Sequence, residues 1–213
     1  MKIFKDRTEA GRDLAGWLSN LAGREDVIVL ALPRGGIRVA FEVAEALGAP
    51  LDVFLVRKLG VPGQEELAMG AIASGGVRVL NDDVVSWFGI SDETIESVTA
   101  RERREMERRE RVYRGNRPTP DISGRTVILV DDGLATGTTM RAAVAALRVH
   151  RPARIIVAVP TAPPDACDMV GSEVDEIICA TTPEPFWAVG AWYDDFPQTS
   201  DQEVRELLER AAA

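Results

Sequence analysis

VILVDDGLATGTTM, at residues 127–140, combines four apolar residues, two acids and a TGTT run that opens an amphipathic segment. The apolar residues predict a buried strand, and the apolar spacing that continues after Met140 predicts a helix. Gly137 permits a tight backbone turn just before that helix. Because ligands bind at the carboxyl edge of the strands in open α/β sheets, we expect Asp131 and Asp132 to lie at a binding site.

Five more apolar runs have the length and the branched side chains of strands, and they lie at 27–32, 51–56, 69–73, 155–159 and 177–180. Segments with helical spacing separate several of these runs. Strands that alternate with helices predict βαβ units and a parallel sheet with helices on both faces. A SGG turn between 69–73 and 77–80 predicts a local hairpin instead.

Helices are also predicted near both ends of the sequence, at 8–21 and at 201–213. The first of them has Thr8 as its expected N-cap and Trp17 on its expected apolar face. We find no internal repeat and no long linker, so one α/β domain is expected. Its core is predicted at about 24–181, with a small hood formed by about 1–23 and 182–213.

The charge balance and the apolar patterning exclude several classes of protein. Lys and Arg number 25 and Asp and Glu number 34, which gives a net charge of −9. Such a chain is a poor non-specific ligand for nucleic acid or anionic membranes. No apolar run approaches the roughly 20 residues of a membrane span. The polar start, MKIFKDRTEAGRD, lacks the apolar region of a signal peptide, so a cytoplasmic location is expected.

The two cysteines, Cys167 and Cys179, could form one disulfide. Cys179 lies in an apolar, strand-like run, which favours two reduced thiols in a reducing cytosol. A metal site of clustered cysteine and histidine ligands is excluded, because His150 is the only histidine.

The loop at 135–139 is expected to bind an anion, since free N–H groups and the helix dipole meet at a helix start. Thr136, Thr138 and Thr139 add hydroxyl donors. An anion site beside two carboxylates suits a phosphorylated sugar, with its hydroxyl groups donating to the acids. Asp131 and Asp132 could instead only cap the following helix, but two acids and three hydroxyl groups exceed what a cap needs. They could also belong to a receiver domain of a response regulator, but such a domain carries its acids near the N-terminus. GxxxxGK and GxGxxG motifs are absent from the sequence.

VILVDDGLATGTT resembles the 5-phosphoribosyl-1-pyrophosphate (PRPP) signature of type I phosphoribosyltransferases, and it is closest to the DDxLATGxT form of adenine-type members. Over most of its length the chain resembles the group known only as "predicted phosphoribosyltransferases". The resemblance implies a type I phosphoribosyltransferase-like parallel sheet flanked by helices. It also implies Mg²⁺-dependent transfer of the 5-phosphoribosyl group from PRPP to a nitrogen acceptor, such as a nucleobase, in nucleotide salvage.

The resemblance also assigns roles within this stretch. Asp131 and Asp132 would be catalytic, would hold the ribose and would bind Mg²⁺ directly or through water. The phosphate of PRPP would lie on the loop formed by Ala135, Thr136, Gly137, Thr138 and Thr139. Members that use hypoxanthine or guanine carry an aspartate where this chain has Ala135. That difference disfavours an oxopurine acceptor.

LPRGG at 32–36 resembles the pyrophosphate loop of the family. The resemblance implies that Arg34, Gly35 and Gly36 bind the pyrophosphate of PRPP. In the family this loop holds a non-proline cis peptide, which we expect at Pro33–Arg34. Taken alone, such a loop is common and more often forms a plain turn.

VRKLGVP at 56–62 resembles the adenine-type RKxGxxP, which places the catalytic cations Arg57 and Lys58 near the leaving pyrophosphate. Two surface cations at a strand end are the alternative. The glycine-rich segment 60–76 that follows is expected to act as a lid.

PFWAVGAWYDD at 185–195 resembles the hood segment of purine-type members. The resemblance implies an acceptor site at Trp187, Val189 and Asp194, with the base stacked on the indole. The alternative is an aromatic cluster that only packs.

The Arg- and Glu-rich segment 101–111 predicts a solvated helix with the pairs Glu105–Arg109 and Glu107–Arg111, or a face for an anionic ligand or partner. The family resemblance implies a homodimer. Two rival functions remain: a PRPP-sensing regulator that binds RNA or protein, and an interaction protein that has lost the chemistry. The net charge disfavours the first, and the intact Asp131 and Asp132 disfavour the second.

Overall fold

The computed structural model describes residues 2–115 and 117–212 of the chain. The helices are α1 (Arg7–Trp17), α2 (Gly36–Leu47), α3 (Asp82–Phe88), α4 (Asp92–Arg114), α5 (Thr138–Val149), α6 (Pro164–Gly171) and α7 (Asp201–Ala211). The strands are β1 (Val27–Ala31), β2 (Leu51–Val53), β3 (Val56–Val61), β4 (Gln64–Ala73), β5 (Val77–Leu80), β6 (Thr126–Val130), β7 (Arg154–Thr161) and β8 (Glu176–Thr181). Short 3₁₀ turns lie at Ser19–Leu21 and Val189–Trp192.

The central sheet is parallel, with the strand order β2-β1-β6-β7-β8. β1 and β6 lie side by side in its middle, and every residue of both strands is buried. The strand order reverses between them, which is the place where open α/β sheets bind ligands. The predicted α/β class with a parallel sheet flanked by helices is confirmed.

Side chains of the parallel strands alternate between two apolar cores, as the pleat requires. Val29 and Ile128 face the core that contains α1, α2 and α7. Ile28 and Leu129 face the core that contains α5 and α6. Burial on both faces explains why these strands consist almost entirely of aliphatic residues.

A second sheet is antiparallel, with the order β3-β4-β5. The hairpin predicted at 69–80 is confirmed, and its turn uses Gly75 and Gly76 at φ +82° and +77°. The single strand predicted at 51–56 is wrong, because the chain leaves the central sheet after Val53 and enters the second sheet at Val56. The lid predicted at 60–76 lies within this second sheet.

The first helix differs from its prediction at both ends. Asp6, not Thr8, is the N-cap, and its carboxylate accepts from the backbone N–H of Glu9 at 2.8 Å. The helix ends at Trp17, and the 3₁₀ turn that follows directs Leu21 into the core. Trp17 is therefore 61% exposed rather than on the apolar face.

The segments around Phe4 and Tyr193 meet beside the central sheet. The N–H of Phe4 donates to the carbonyl of Trp192 at 2.9 Å, and the N–H of Asp194 donates to the carbonyl of Phe4 at 2.8 Å. Helix α1 packs against α2 as part of the larger core, so the division into core and hood stays a prediction. Among the described residues, no helix is long and apolar enough to cross a membrane.

Cys167 and Cys179 form a disulfide, which corrects the expectation of two reduced thiols. Helix α6 returns along β8 and brings the two Cα atoms to 6.7 Å, although β8 itself is only partly buried. The expectation of a reducing compartment rested on two free thiols, and the disulfide does not support it.

Candidate functional site

Two loops that are far apart in the sequence meet at the carboxyl ends of β1 and β6. The loop at 32–36 follows β1, and the N–H of Leu32 donates to the carbonyl of Val130 at 2.8 Å. The peptide bond Pro33–Arg34 is cis, which confirms the prediction from the sequence. The loop therefore lies directly against the acids that follow β6.

Gly35 and Gly36 permit this close approach. A Cβ atom on Gly36 would lie 2.8 Å from the carbonyl oxygen of Val130 and 2.9 Å from Cα of Asp131. A Cβ atom on Gly35 would lie 2.0 Å from Oδ2 of Asp132. At Gly36 a side chain would collide with the backbone of the other loop, so glycine is required there. At Gly35 a side chain would collide with the carboxylate of Asp132, which would have to move away from Arg7.

Asp131 and Asp132 are partly buried and share a short hydrogen-bond network. The N–H of Asp132 donates to Oδ1 of Asp131 at 2.8 Å. The phenol of Tyr193 donates to the carbonyl oxygen of Asp132 at 2.6 Å, and burial raises the pKa of that phenol. The pair is thus held at the edge of the sheet by a backbone contact and by the phenol of Tyr193.

Both carboxyl groups have raised pKa values, but burial and the neighbouring charges contribute differently to each. Burial raises the pKa of Asp131 well above its ordinary value, and the charge of Asp132 raises it further. Burial also raises the pKa of Asp132, but the guanidinium of Arg7 opposes this shift. Hydroxyl donors or a cation from a ligand would favour the ionised pair.

Arg7, the first residue of α1, is a site residue that the sequence analysis missed. It is 4% exposed, and its Nε donates to Oδ2 of Asp132 at 2.8 Å. Its Nη1 donates to the carbonyl of Pro197 at 2.7 Å, and the guanidinium lies 3.7 Å from the ring centroid of Phe196. One signal could have been noticed: a helix dipole disfavours a cation in the first turn, so an arginine there needs another partner.

The predicted anion loop, 135–139, opens α5 as expected. Gly137 has φ +71° and precedes the first helical residue. Thr136 and Thr138 have their hydroxyl oxygens 3.0 Å apart. Thr136 is exposed, as are Ala135 and Thr139, so the helix start is open to a ligand.

Two cavities border this region. The first, which we call the tryptophan cavity, has a volume of about 740 Å³, and its lining includes Ala135, Thr136, Asp165, Glu184 and Trp187. The second, which we call the arginine cavity, has a volume of about 510 Å³ and is lined by Arg7, Arg34, Gly35, Asp132, Val189, Phe196, Gln198 and Thr199. Asp132 therefore borders the arginine cavity, and Ala135 and Thr136 of the anion loop border the tryptophan cavity.

The three residues predicted at the acceptor site are not brought together. Trp187 is 82% exposed and lines the tryptophan cavity, whereas Val189 lines the arginine cavity. Asp194 is exposed, and in the described residues it lines neither cavity. The 3₁₀ turn at Val189–Trp192 turns the chain between these positions and sends their side chains to different sides.

Arg57 and Lys58 lie at a third cavity, of about 330 Å³, that borders α4. Glu102 on α4 accepts from Arg57 through Nε at 2.9 Å and through Nη2 at 2.5 Å. Arg57 is therefore already paired, and neither cation lines the arginine cavity in the part of the chain that is described.

The family model of the phosphoribosyl transferase domain matches residues 2–194. The chain belongs to this family. The protein TT1426 of Thermus thermophilus has a crystal structure that matches this chain with a TM-score of 0.89 and 42% identity over the full length of both chains.

Curated relatives agree with the family assignment. "Putative phosphoribosyl transferase Rv0571c" of Mycobacterium tuberculosis H37Rv is 48% identical over 211 residues, which are 99% of this chain and 47% of the relative. The chain thus spans about half the length of this relative. "Bifunctional protein PyrR" of Chloroflexus aurantiacus is 37% identical over 142 residues, which are 64% of this chain and 72% of that protein.

Family membership raises the question of whether the acids suit Mg²⁺. Within residues 2–115 and 117–212, no group of three or more carboxylate, cysteine or histidine side chains could enclose a metal ion. Mg²⁺ commonly takes one or two protein carboxylates and completes its octahedron with water and substrate phosphates. Asp131 and Asp132 therefore fit an ion that binds together with a phosphorylated substrate.

The long helix α4 contains the Arg- and Glu-rich segment. Glu105 accepts from Arg109 at 2.8 Å, as predicted, and also from Arg108 at 2.8 Å, and these two bonds lower the pKa of Glu105 to about 2. Arg111 instead donates to the backbone carbonyl of Glu107 at 3.3 Å, so the second predicted pair does not form. Most side chains of the segment are exposed, and Glu105 pairs with two arginines of the same helix. Its use as a face for an anionic ligand or a partner stays a prediction.

Proposed function

We propose that this chain transfers the 5-phosphoribosyl group from PRPP to a nitrogen acceptor and releases pyrophosphate. The observation that carries this proposal is the contact of the glycine loop at 32–36 with Asp131 and Asp132, beside the open start of α5. One short region thus offers an anion site at each end and two carboxylates between them.

In this proposal each part of PRPP has its own partners. The 5-phosphate lies on the exposed loop 135–139, whose N–H groups favour an anion. The ribose hydroxyls donate to Asp131 and Asp132. The pyrophosphate lies against Arg34 and the backbone of Gly35 and Gly36. Mg²⁺, when bound, supplies positive charge that stabilises the pyrophosphate as it leaves.

The reaction is a displacement at the anomeric carbon. The bond from this carbon to the pyrophosphate oxygen breaks, and its electron pair leaves with pyrophosphate. The acceptor nitrogen forms the new bond with its lone pair and loses a proton. Positive charge develops on the sugar during the exchange. Asp131 and Asp132 lie where their negative charge would stabilise it, in a partly buried place that strengthens the effect.

We assign the acceptor to the tryptophan cavity. Trp187 presents its indole to solvent beside Ala135 and Thr136, so a planar base could stack on it. Asp165 and Glu184 line the same cavity and could accept hydrogen bonds from amino groups of such a base. A nucleobase with an exocyclic amino group is therefore the favoured acceptor.

The test is pyrophosphate release from PRPP and Mg²⁺ in the presence of single nucleobases. We expect release with at least one base, and loss of it in Asp131→Asn and Asp132→Asn. Arg12→Gln, an exposed change on α1, is the control that should keep the activity. If PRPP binds but no base causes the release of pyrophosphate, the result would favour the regulatory alternative. The ion pair of Arg57 with Glu102 would then belong to a chain without catalytic activity.

The homodimer stays a prediction. Light scattering of the purified chain at micromolar concentrations distinguishes a dimer from a monomer. A monomer mass that stays constant across these concentrations would contradict the homodimer prediction.

A further inference from the structure

Arg7 has three contacts that fix its guanidinium at the arginine cavity. One is the ion pair with Asp132, one is the hydrogen bond to the carbonyl of Pro197, and one is the stacking on Phe196. The hydrogen bonds found among the described residues use Nε and Nη1 and leave Nη2 for another partner. A buried arginine with a spare donor at a cavity wall is suited to an anion.

The ion pair also blocks part of the proposed ribose site. Oδ2 of Asp132 lies between Nε of Arg7 and the backbone of Gly35. A ribose hydroxyl that donates to this oxygen must therefore share it with Arg7 or displace Arg7. Displacement would leave a buried guanidinium without its counter-charge, which is costly unless the ligand supplies an anion.

The arginine cavity contains further groups without a close protein partner. Arg34 lines the same cavity, and its contact with Asp201 is long, at 3.8 Å. Thr199 is 2% exposed, and within the described residues its hydroxyl oxygen has no hydrogen-bond partner. Buried hydroxyl groups are normally hydrogen-bonded, so this hydroxyl could take a partner if the side chain turned towards the cavity, which Thr199 also lines.

We propose that Arg7 makes the site selective for a sugar that carries a diphosphate. When PRPP binds, its ribose hydroxyls replace Arg7 on Asp132, and the guanidinium turns to the pyrophosphate. Phe196 and Pro197 hold the arginine within reach during this exchange. This inference rests on the proposed function, since it assigns a further residue to the PRPP site of the same reaction.

A sugar with only a 5-phosphate cannot complete the exchange. Ribose 5-phosphate offers hydroxyl groups to Asp132 but no anion to Arg7, so the ion pair opposes its binding. PRPP offers both. The ion pair of Arg7 with Asp132 therefore weakens the binding of ribose 5-phosphate, whereas the contact of Arg7 with the pyrophosphate strengthens the binding of PRPP.

The experiment is isothermal titration of PRPP, inorganic pyrophosphate and ribose 5-phosphate, each with Mg²⁺, into the full chain. Arg7→Gln should weaken the binding of PRPP and of pyrophosphate roughly 10- to 100-fold, the value of a hydrogen bond to a charged group. Ribose 5-phosphate should bind equally well or more tightly. Arg12→Gln, in the same helix but with a 71% exposed side chain, should change none of the three.

Arg7→Lys protects the test against a variant that fails to fold. Lysine keeps the charge but lacks the planar fork of donors, so we expect a smaller loss with the same order of ligands. Equal weakening of all three ligands would show that Arg7 only supports the fold, and tighter PRPP binding would show that it only competes with ribose. Either result overturns the proposal.

Failure of the proposed function has a different appearance. If the unchanged chain does not bind PRPP, the PRPP site is wrong. The pyrophosphate titration still decides the role of Arg7: a selective loss in Arg7→Gln supports an anion site there, and no binding of pyrophosphate by the unchanged chain refutes it.

Discussion

Asp132→Asn and Asp131→Asn should have opposite effects on stability, although the two residues are adjacent. Asp132 pairs with the buried Arg7, so its charge is matched in the folded protein. Asp131 makes its hydrogen bond to the N–H of Asp132 and, among the described residues, has no ion pair. Removing the first charge leaves Arg7 without an anion, whereas removing the second relieves repulsion.

The size of the loss in Asp132→Asn follows from burial. The side chains of Arg7 and Asp132 are 5% and 14% exposed. Breaking a buried pair costs roughly 3–5 kcal/mol when one charge is left alone. Asparagine still offers a carbonyl oxygen to Arg7, so we expect the smaller cost of a hydrogen bond to a charged group, about 1.5–3 kcal/mol. For a chain of this length, that lowers the Tm by about 3–12 °C.

Asp131→Asn should also change how the stability of the protein depends on pH. The carboxyl group has a raised pKa in the folded state, against 3.8 as its ordinary value. Below that ordinary value both states hold the proton, and the group costs nothing. As the pH rises above it, the unfolded chain releases the proton more easily, so the folded state loses stability. Asp131→Asn should therefore be at least as stable as the parent at pH 8, and its advantage should shrink towards pH 4.

Urea denaturation of the parent and both variants between pH 4 and pH 8 is the assay. Glu42→Gln is the matched control, because Arg12, its ion-pair partner, is 71% exposed and the pair should contribute less than about 1 kcal/mol. Equal losses in Asp131→Asn and Asp132→Asn would refute this reasoning. So would an Asp132→Asn variant as stable as the control.

Trp187→Ala should leave the Tm nearly unchanged because the indole is 82% exposed, while the KM of an acceptor rises roughly 5- to 150-fold and PRPP binding stays constant. Gly35→Ala should weaken PRPP binding more than tenfold by the clash at 2.0 Å, measured by titration. Gly16→Ala, with nothing within 4 Å of the new Cβ, is its control and should add about 0.5–1 kcal/mol of stability. Reducing the Cys167–Cys179 disulfide, which closes a loop of 12 residues, should cost about 2–3 kcal/mol in urea denaturation.

The parallel sheet could be predicted because its signals are local. Short aliphatic runs alternate with helical spacing, and both periods are present in the sequence. The break between β2 and β3 could not be predicted this way, since Phe54 and Leu55 continue the apolar run without a turn residue. Their backbone N–H groups bond to Ala31 and to the side chain of Ser74, contacts that only the folded chain brings into reach.

The same distinction applies to the site. Loop 135–139 and the acids before it form one continuous motif, so their proximity could be predicted from the sequence. Loop 32–36 could be placed beside them only by assuming the fold. Trp187 and Val189 are two residues apart, yet they line different cavities, and a 3₁₀ turn begins at Val189. Spacing along the chain therefore predicts contact within a motif, but not the side on which each side chain emerges.

Arg7 shows why the electrostatics of the site could not be predicted. Two adjacent carboxylates in a partly buried place need positive charge nearby, and from the sequence we assigned that charge to Mg²⁺ alone. The structure provides one cation from 125 residues away, where no motif connects the partners. Because Arg7 already matches Asp132, the unmatched charge is that of Asp131. An incoming cation or hydroxyl donor should therefore gain most at Asp131, and Asp132 becomes available only when Arg7 finds another anion.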